Sequence, residues 1–165
     1  MRWRDLFYGA SMAVSLAVAA RDAPPPIVGV ASVIDGDTIE IHGSRIRLFG
    51  VDAPESRQTC VQESKPWKCG AASANALDIM IDARTVSCEQ VDTDRYKRAV
   101  AKCTVGDVSI NSWLVREGWA IDYEKYSHGA YAPDQDEAKS ARRGIWASEF
   151  DNPEEVRRQG RTGRK

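Results

Sequence analysis

Positive charge is not in excess in this 165-residue sequence, in which 24 acidic side chains outnumber 23 lysines and arginines. The formal net charge of −1 excludes a uniformly basic protein that binds polyanions over its whole surface. Any phosphate-binding surface must therefore be a local cluster of arginines.

Internal repeats and long low-complexity segments are also lacking. The length and the hydrophobic content of 42% predict one globular domain with one core.

The N-terminal apolar run is too short for a membrane span. It extends from Leu6 to Ala20, follows Arg2 and Arg4, and ends in small residues, whereas a spanning helix needs about 20 apolar residues. These features predict a signal peptide over residues 1–20, a proline-rich spacer over 21–26, and no stable membrane span after cleavage. The protein is accordingly expected to be secreted or periplasmic. An uncleaved membrane anchor is the alternative interpretation.

Hydrophobic periodicity predicts five strands and about three helices. The strands are expected over residues 27–34, 38–42, 45–51, 85–89 and 99–105, with helices over 71–83, around 110–114 and from 133 to about 141. This order favours an α+β fold, a five-stranded OB-fold Greek-key barrel of the kind that binds oligonucleotides. The domain is expected to cover residues 27–150, and the basic tail over 151–165 is expected to be disordered.

The cysteines are even in number and lie downstream of the predicted signal peptide, which favours disulfides in an exported protein. They are Cys60, Cys69, Cys88 and Cys103. A hairpin centred between residues 95 and 96 places Cys88 opposite Cys103, so these two are predicted to pair, and Cys60 is predicted to pair with Cys69. Zinc binding is the alternative, but no cysteine pair has C-x-x-C spacing and the chain has only two histidines.

Four carboxylates surround one predicted hairpin of about 20 residues: Asp35, Asp37, Asp52 and Glu55. A turn at Gly43-Ser44 would place Asp35 opposite Asp52, with Asp37 diagonal to it. Like charges at such distances repel unless a cation lies between them. Oxygen ligands without histidine or thiolate suit calcium or magnesium. A solvated acidic turn is the alternative, because Asp-Gly pairs are common in turns.

Two arginines accompany these carboxylates. Arg47 lies in the same predicted hairpin, and Arg98 follows the second predicted turn. A metal ion, a carboxylate base and two guanidinium groups together suit phosphodiester hydrolysis. In a flat pleat, however, Arg47 would point to the face opposite Asp37 and Asp52, so barrel coiling or a bulge is required to turn it inward.

Several motifs of this sequence resemble those of one known family. The segment Asp35-Gly36-Asp37-Thr38, followed by Arg47-x-x-x-x-Asp52-x-Pro54-Glu55, resembles the signature of the staphylococcal nuclease (thermonuclease) family. Residues 93–98 (TDRYKR) resemble the family's second active-site turn, and the motifs over 111–120 and 143–146 also match. The resemblance extends from about residue 27 to residue 146.

The resemblance implies a role for most of these residues. Asp37 and Asp52 are expected to bind calcium (Ca2+) through their carboxylates, with the Ala53 carbonyl as a further ligand. Glu55 is expected to be the general base on the attacking water. The implied activity is a calcium-dependent endonuclease that cuts DNA and RNA and leaves a 3′-phosphate and a 5′-hydroxyl.

The same resemblance implies the contacts with the substrate. Arg47 and Arg98 are expected to bind the scissile phosphate and to stabilise the pentacovalent transition state. A neighbouring phosphate is the implied partner of Arg95 and Tyr96. Tyr123 and Tyr126 align approximately with two tyrosines that cover the nucleotide in the family. The protein is expected to act as a monomer.

The sequence departs from the family pattern at two positions of the site. Ala53 stands where threonine is common, which preserves a backbone ligand but removes a hydroxyl contact, and Lys97 stands where glycine is usual.

Two rival functions follow from the same fold. One is a noncatalytic nucleic-acid-binding module, and the other is an envelope structural domain that uses calcium only for stability.

Overall fold

The computed structural model of the protein describes residues 24–162. The predicted signal peptide over residues 1–20 lies outside this range. Within residues 24–162, no helix combines the length and the apolar character that crossing a membrane requires.

The described residues form eleven strands, several of them only two or three residues long. They are β1 (Ile27–Val30), β2 (Ser32–Asp35), β3 (Thr38–Ile41), β4 (Ser44–Leu48), β5 (Val51–Asp52), β6 (Cys60–Gln62), β7 (Lys65–Trp67), β8 (Thr85–Thr93), β9 (Ala99–Val105), β10 (Val108–Ser109) and β11 (Ile121–Asp122). The helices are α1 (Cys69–Ile81), α2 (Ile110–Arg116), α3 (Glu124–Ser127), α4 (Ala132–Ser140) and α5 (Pro153–Thr162), with a 3₁₀ turn over Gly144–Ala147.

One curled sheet makes up most of the domain, in the order β1-β8-β9-β4-β3-β2, with β10 paired to β9. Only β4 and β9 pair in parallel; the other pairs of this sheet are antiparallel. Strands β1 and β2 are separated by Ala31 alone, yet they pair with β8 and β3 at opposite edges. Counted as one bent strand, they close the predicted five-stranded barrel. The α+β OB-fold prediction is confirmed.

Hydrophobic side chains from the barrel and from two helices fill the core. The inward-facing positions of β3 and β4 alternate as a half-buried sheet requires, and α1 and α2 add their apolar faces. The largest fully buried members are Ile39, Ile41, Ile46, Leu48, Leu77, Ile81, Ile110 and Leu114. A smaller cluster around the Cys60–Cys69 disulfide and Ile145 lies beside this core.

The turn between β3 and β4 begins one residue earlier than predicted. His42 and Gly43 form it, with φ values of 50° and 78°, as a two-residue hairpin turn of type I′ requires. The register of β3 with β4 therefore shifts. Asp35 does not lie opposite Asp52, because the chain turns at Gly36 and Asp37 and pairs Asp35 with Thr38. The predicted register was wrong because a histidine, not a glycine, takes the first left-handed position.

Both predicted disulfides are present. Cys88 and Cys103 lie directly opposite each other on β8 and β9, so the predicted register of this hairpin is confirmed around them. Cys60 and Cys69 join β6 to the beginning of α1. Two disulfides are typical of proteins from oxidising compartments.

The structure adds elements that the sequence patterns did not predict. The expected loop over residues 52–69 contains the β6–β7 hairpin, and the short helix α3 precedes α4. The tail, expected to be disordered, forms helix α5 over Pro153–Thr162. Asn152 caps this helix, because its Oδ1 accepts a hydrogen bond from the Glu154 backbone at 2.9 Å. A proline and two acidic residues in the first turn further favour helix formation.

Candidate active site

Asp37 lies in the tight turn between β2 and β3 and is only 4% exposed. Its backbone N–H donates to Asp35 Oδ1 at 3.1 Å, which closes the turn. Its Oδ2 accepts a hydrogen bond from the Ala53 backbone at 2.9 Å. Gly36 is required here, since a Cβ at this position would collide with Ser73 and lie 2.7 Å from the Ala53 Cβ. The turn thus presses the Asp37 carboxylate against the chain that follows β5.

Asp52 is fully buried at the end of β5, where it pairs with Ile121 of β11. A bend before β5 separates it from β4, and Gly50 makes that bend with a φ of 70°. The buried Asn111 of α2 fixes the bend by donating to the Phe49 carbonyl at 2.9 Å. The predicted site residue Asp52 therefore belongs to a separate short strand, not to the hairpin of β3 and β4.

Arg47 joins the two buried carboxylates. Its Nη1 contacts Asp37 Oδ1, and its Nη2 donates to Asp52 Oδ1 at 2.9 Å and to the Val51 carbonyl at 3.1 Å. A flat sheet would have kept Arg47 apart from both aspartates. The conflict is resolved because Asp37 lies in a turn and Asp52 follows a bend, so neither obeys the face alternation of β4.

The loop after β5 positions Glu55. Its backbone N–H donates to Gln58 Oε1 at 3.0 Å, and its carbonyl accepts from the Gln58 backbone at 2.6 Å. Gly70, in the first turn of α1, packs directly on the Glu55 carbonyl, where a Cβ would collide. The Cys60–Cys69 disulfide ties the two ends of this arrangement together. The Glu55 side chain is therefore presented by a short, cross-linked loop.

The turn between β8 and β9 presents Arg98. Asp94 organises this turn by accepting hydrogen bonds from the backbones of Tyr96 and Arg98 at 2.8 and 2.9 Å and from Arg98 Nε at 2.7 Å. These bonds lower the pKa of Asp94, against the opposing effect of burial. Lys97 adopts a φ of 62°, the left-handed conformation that favours glycine.

A cavity of about 200 Å³ brings most of the predicted catalytic residues together. The residues that line it are Asp35, Asp37, Arg47, Ala53, Pro54, Glu55, Ser56, Tyr96, Arg98 and Arg157. The buried Asp52 lies behind its wall, bonded to two of the lining arginines. The cavity therefore combines acidic groups, guanidinium groups and one exposed aromatic ring, an arrangement that suits a phosphodiester and a cation.

The remaining predicted substrate-binding residues lie around this cavity in different ways. The Tyr96 ring lies beneath the guanidinium groups of Arg95 and Arg98, at 4.8 and 5.6 Å from the ring centre. Tyr123 and Tyr126 form an edge-to-face pair whose ring centres are 4.8 Å apart. Neither of these two tyrosines lines the cavity.

Tyr123 is engaged by helix α5. Burial raises the pKa of the Tyr123 hydroxyl to about 12, and a hydrogen bond with Glu154 acts in the same direction. The proposed nucleotide-covering side of the site is therefore in contact with the C-terminal helix.

Burial also perturbs the acidic groups of the site. It raises the pKa of Asp37 to about 7, although Arg47 acts in the opposite direction. Burial likewise raises the pKa of Glu55, opposed chiefly by Arg157. A cation beside Asp37 would favour its ionised form, and a carboxyl group with a raised pKa suits a general base near neutral pH.

The donor set around Asp37 fits calcium. Asp37 and Asp52 lie close enough to bind the same guanidinium group, and Ala53 lines the same cavity. All three supply oxygen ligands, which calcium prefers. Within residues 24–162, no three side chains of His, Cys, Asp or Glu are grouped so that they could hold a metal. A metal here would therefore need the Ala53 carbonyl as well as the two carboxylates.

Arg157 was not among the predicted site residues. Its Nη2 donates to Asp52 Oδ1 and Oδ2 at 2.7 and 2.8 Å, and its Nε lies 3.0 Å from Glu55 Oε1. The sequence indicates the helix that carries Arg157, since Asn152 and Pro153 followed by two glutamates are typical of a helix N-terminus.

Comparison with known proteins identifies the family. The family described as "Staphylococcal nuclease homologue" matches residues 45–148. The chain belongs to the staphylococcal nuclease family. The succinoglycan biosynthesis protein ExoI of Rhizobium meliloti (strain 1021) is 44% identical over 162 residues, which cover 95% of this chain and 83% of that protein. An uncharacterized endonuclease of Escherichia coli O157:H7 is 34% identical over 124 residues, 72% of this chain and 75% of that protein.

A plant relative carries the family name itself. The probable staphylococcal-like nuclease CAN1 of Oryza sativa subsp. japonica is 32% identical over 130 residues, 78% of this chain and 37% of that protein. The predicted membership of the staphylococcal nuclease family is confirmed. Membership and the relatives named as endonucleases support a nuclease function. The matched region ends at residue 148 and therefore does not include Arg157.

Proposed function

We propose that this staphylococcal nuclease homologue is an exported, calcium-dependent endonuclease that hydrolyses phosphodiester bonds of DNA and RNA. The observation that carries the proposal is that Arg47 joins Asp37 to the buried Asp52 at the wall of a cavity that Glu55 and Arg98 also line. The N-terminal apolar run and the two disulfides support export. We further propose that the protein acts as a monomer.

Each side chain has a distinct proposed role. Calcium, when bound by Asp37, Asp52 and the Ala53 carbonyl, would supply positive charge to the phosphoryl oxygens. Glu55 accepts a proton from the attacking water, and its raised pKa strengthens it as a base relative to an ordinary glutamate. Arg47 and Arg98 donate to the phosphoryl oxygens as negative charge develops on them.

The proposed products are a 3′-phosphate and a 5′-hydroxyl. Water attacks phosphorus, and the bond from phosphorus to the 5′ oxygen breaks. The phosphate therefore remains on the 3′ oxygen, and the leaving 5′ oxygen takes up a proton from solvent water. Tyr96, which lines the cavity, and Arg95, whose guanidinium lies over the Tyr96 ring, would contact a neighbouring phosphate. Tyr123 and Tyr126 would lie near the nucleotide.

The proposal is tested with purified, oxidised protein and single-stranded DNA or RNA. We expect cleavage with calcium, loss of cleavage with a chelator, and 3′-phosphate ends on the products. Glu55→Gln should lower kcat about 100-fold or more, whereas Glu89→Gln, which changes an exposed residue of β8, should not.

Two results would contradict the proposed function. Equal product with calcium and with chelator would exclude calcium dependence. Binding of the oligonucleotide without any cleavage at millimolar calcium would instead favour the noncatalytic binding module.

A further inference from the structure

Helix α5 lies beyond the matched family region, which ends at residue 148, yet it supplies a wall of the cavity. Arg157 lines the cavity together with Arg47 and Arg98. Three guanidinium groups, two from the barrel and one from the C-terminal helix, therefore face the same volume of about 200 Å³. The cavity persists with α5 in place, so the helix borders the site and does not fill it.

The position of Arg157 is fixed by several contacts outside the cavity. Gln58 Nε2 donates to the Asp151 carbonyl at 2.7 Å, just before the helix begins. Asn152 caps the helix, and Pro153 is buried. The Tyr123 hydroxyl donates a hydrogen bond to the Glu154 carboxylate. These contacts hold the first turn of α5 against the barrel, so Arg157 reaches the site from an anchored position.

The contacts of Arg157 within the site leave part of its guanidinium available. Its Nη2 binds both oxygens of Asp52. Its Nε lies 3.0 Å from Glu55 Oε1 but has no hydrogen-bond acceptor in suitable geometry. The attraction to Glu55 is therefore mainly electrostatic. Because Nε itself is buried, a phosphate oxygen would reach Arg157 through the part of the side chain that is exposed beside the cavity, 26% of its surface.

The balance of charges around the cavity also indicates that Arg157 can contact a bound anion. Four carboxylates surround it, and the barrel provides only Arg47 and Arg98 against them. A bound divalent cation would balance the two remaining negative charges, and a phosphodiester would then add one that no barrel residue balances. Arg157 supplies the missing positive charge.

We propose that Arg157 is a third phosphate-binding side chain of this nuclease, delivered by the C-terminal helix and acting on the substrate's phosphodiester oxygens. This inference rests on the proposed nuclease function. The group that Arg157 binds is a phosphodiester or a phosphomonoester of a nucleotide. The functional unit is then the barrel together with α5.

The test compares Arg157→Gln and Arg157→Lys with Arg158→Gln, which removes the same charge from an exposed neighbouring position of α5. Isothermal titration with a nucleoside 3′,5′-bisphosphate in calcium measures phosphate binding without cleavage. We expect Arg157→Gln to raise Kd about tenfold or more, as loss of a charge-assisted hydrogen bond predicts. Arg157→Lys should recover part of the lost affinity, and the Kd of Arg158→Gln should remain within about twofold of the wild-type value.

Binding to a labelled single-stranded oligonucleotide provides a second readout. The slope of log Kd against log salt should decrease by about 0.7 in Arg157→Gln, since one phosphate contact is lost. Steady-state cleavage should show a raised KM with little change in kcat, because a contact made with both the bound substrate and the transition state contributes uniform binding. Thermal melting of each variant confirms that the fold is retained.

Two results would overturn the inference. Equal Kd values for Arg157→Gln and Arg158→Gln would show that Arg157 makes no specific contact with the phosphate. Tighter calcium binding and faster cleavage by Arg157→Gln at low calcium would make α5 a competitor of the metal, the opposite role. Failure of the proposed function is distinguished from both, because it appears as absence of cleavage by the wild-type protein.

Discussion

Replacing Asp37 by Asn should stabilise the protein when divalent cations are removed, and the gain should grow with pH. The carboxyl group is 4% exposed, and burial raises its pKa from 3.8 to about 7. Above pH 7, keeping it ionised in the folded state therefore disfavours folding by on the order of 4 kcal/mol. This figure already includes the attraction to Arg47. Asn retains only one oxygen to accept the hydrogen bonds that Asp37 accepts from Arg47 and from the Ala53 backbone, so the expected net gain at pH 8 is about 1 to 3 kcal/mol.

The sign of the pH dependence follows from proton binding. Between pH 4 and 7 the folded protein retains a proton on Asp37 that the unfolded chain has lost, so stability falls as pH rises. The slope is at most about 1.4 kcal/mol per pH unit for one such group. Glu55, whose pKa is also raised, adds to this slope. Asp94, whose pKa is lowered, has the opposite effect, and its contribution is lost only in more acidic solution.

The assay is urea denaturation in a chelating buffer between pH 5 and pH 9. Asp37→Asn should show a flatter pH profile than the wild type, while Asp107→Asn, which changes an exposed turn residue, should parallel the wild type. Added calcium should raise the stability of the wild type but not that of Asp37→Asn. Wild-type stability that rises steadily from pH 5 to pH 8, or identical slopes for all three proteins, would refute the reasoning.

Other substitutions test the two turns and the cross-links. Lys97→Gly should raise the free energy of unfolding by about 1 kcal/mol, because glycine accepts the φ of 62° without strain, and kcat should change little; a lower melting temperature would contradict this. The double variant Cys88→Ala/Cys103→Ala should lose about 3 kcal/mol in denaturant unfolding, since it opens a 15-residue connection in the barrel. The double variant Cys60→Ala/Cys69→Ala should lose a larger fraction of kcat than of its free energy of unfolding, because the missing disulfide supports the loop that carries the proposed base. An unchanged kcat would show that the loop keeps its conformation without the disulfide.

Local patterns predicted the barrel because its strands obey short-range rules. The register around Cys88 and Cys103 followed from one hairpin centre and is present in the structure. The register of the β3–β4 hairpin did not follow, because His42 takes a left-handed conformation that pattern rules assign to glycine. The pairing of Asp35 with Thr38 has a separate cause, the tight turn at Gly36 and Asp37 between β2 and β3.

The candidate site depends on contacts that sequence spacing does not encode. Asp37 and Asp52 meet at Arg47 because a turn and a glycine bend interrupt the strands that carry them. Arg157 lies 105 residues after Asp52 along the chain, and its approach depends on the way α5 folds back over the barrel. The capping signal at Asn152 could have predicted the helix, but not the place where it docks.

The raised pKa of Asp37 and its proposed role have the same physical origin. A carboxylate removed from water and only partly compensated by Arg47 destabilises the folded protein in the absence of a cation. The same unbalanced charge increases the free energy that a divalent cation gains on entering the site. Exposing Asp37 to solvent would relieve the first effect and weaken the second, so a barrel selected to hold calcium here must retain some instability when calcium is removed.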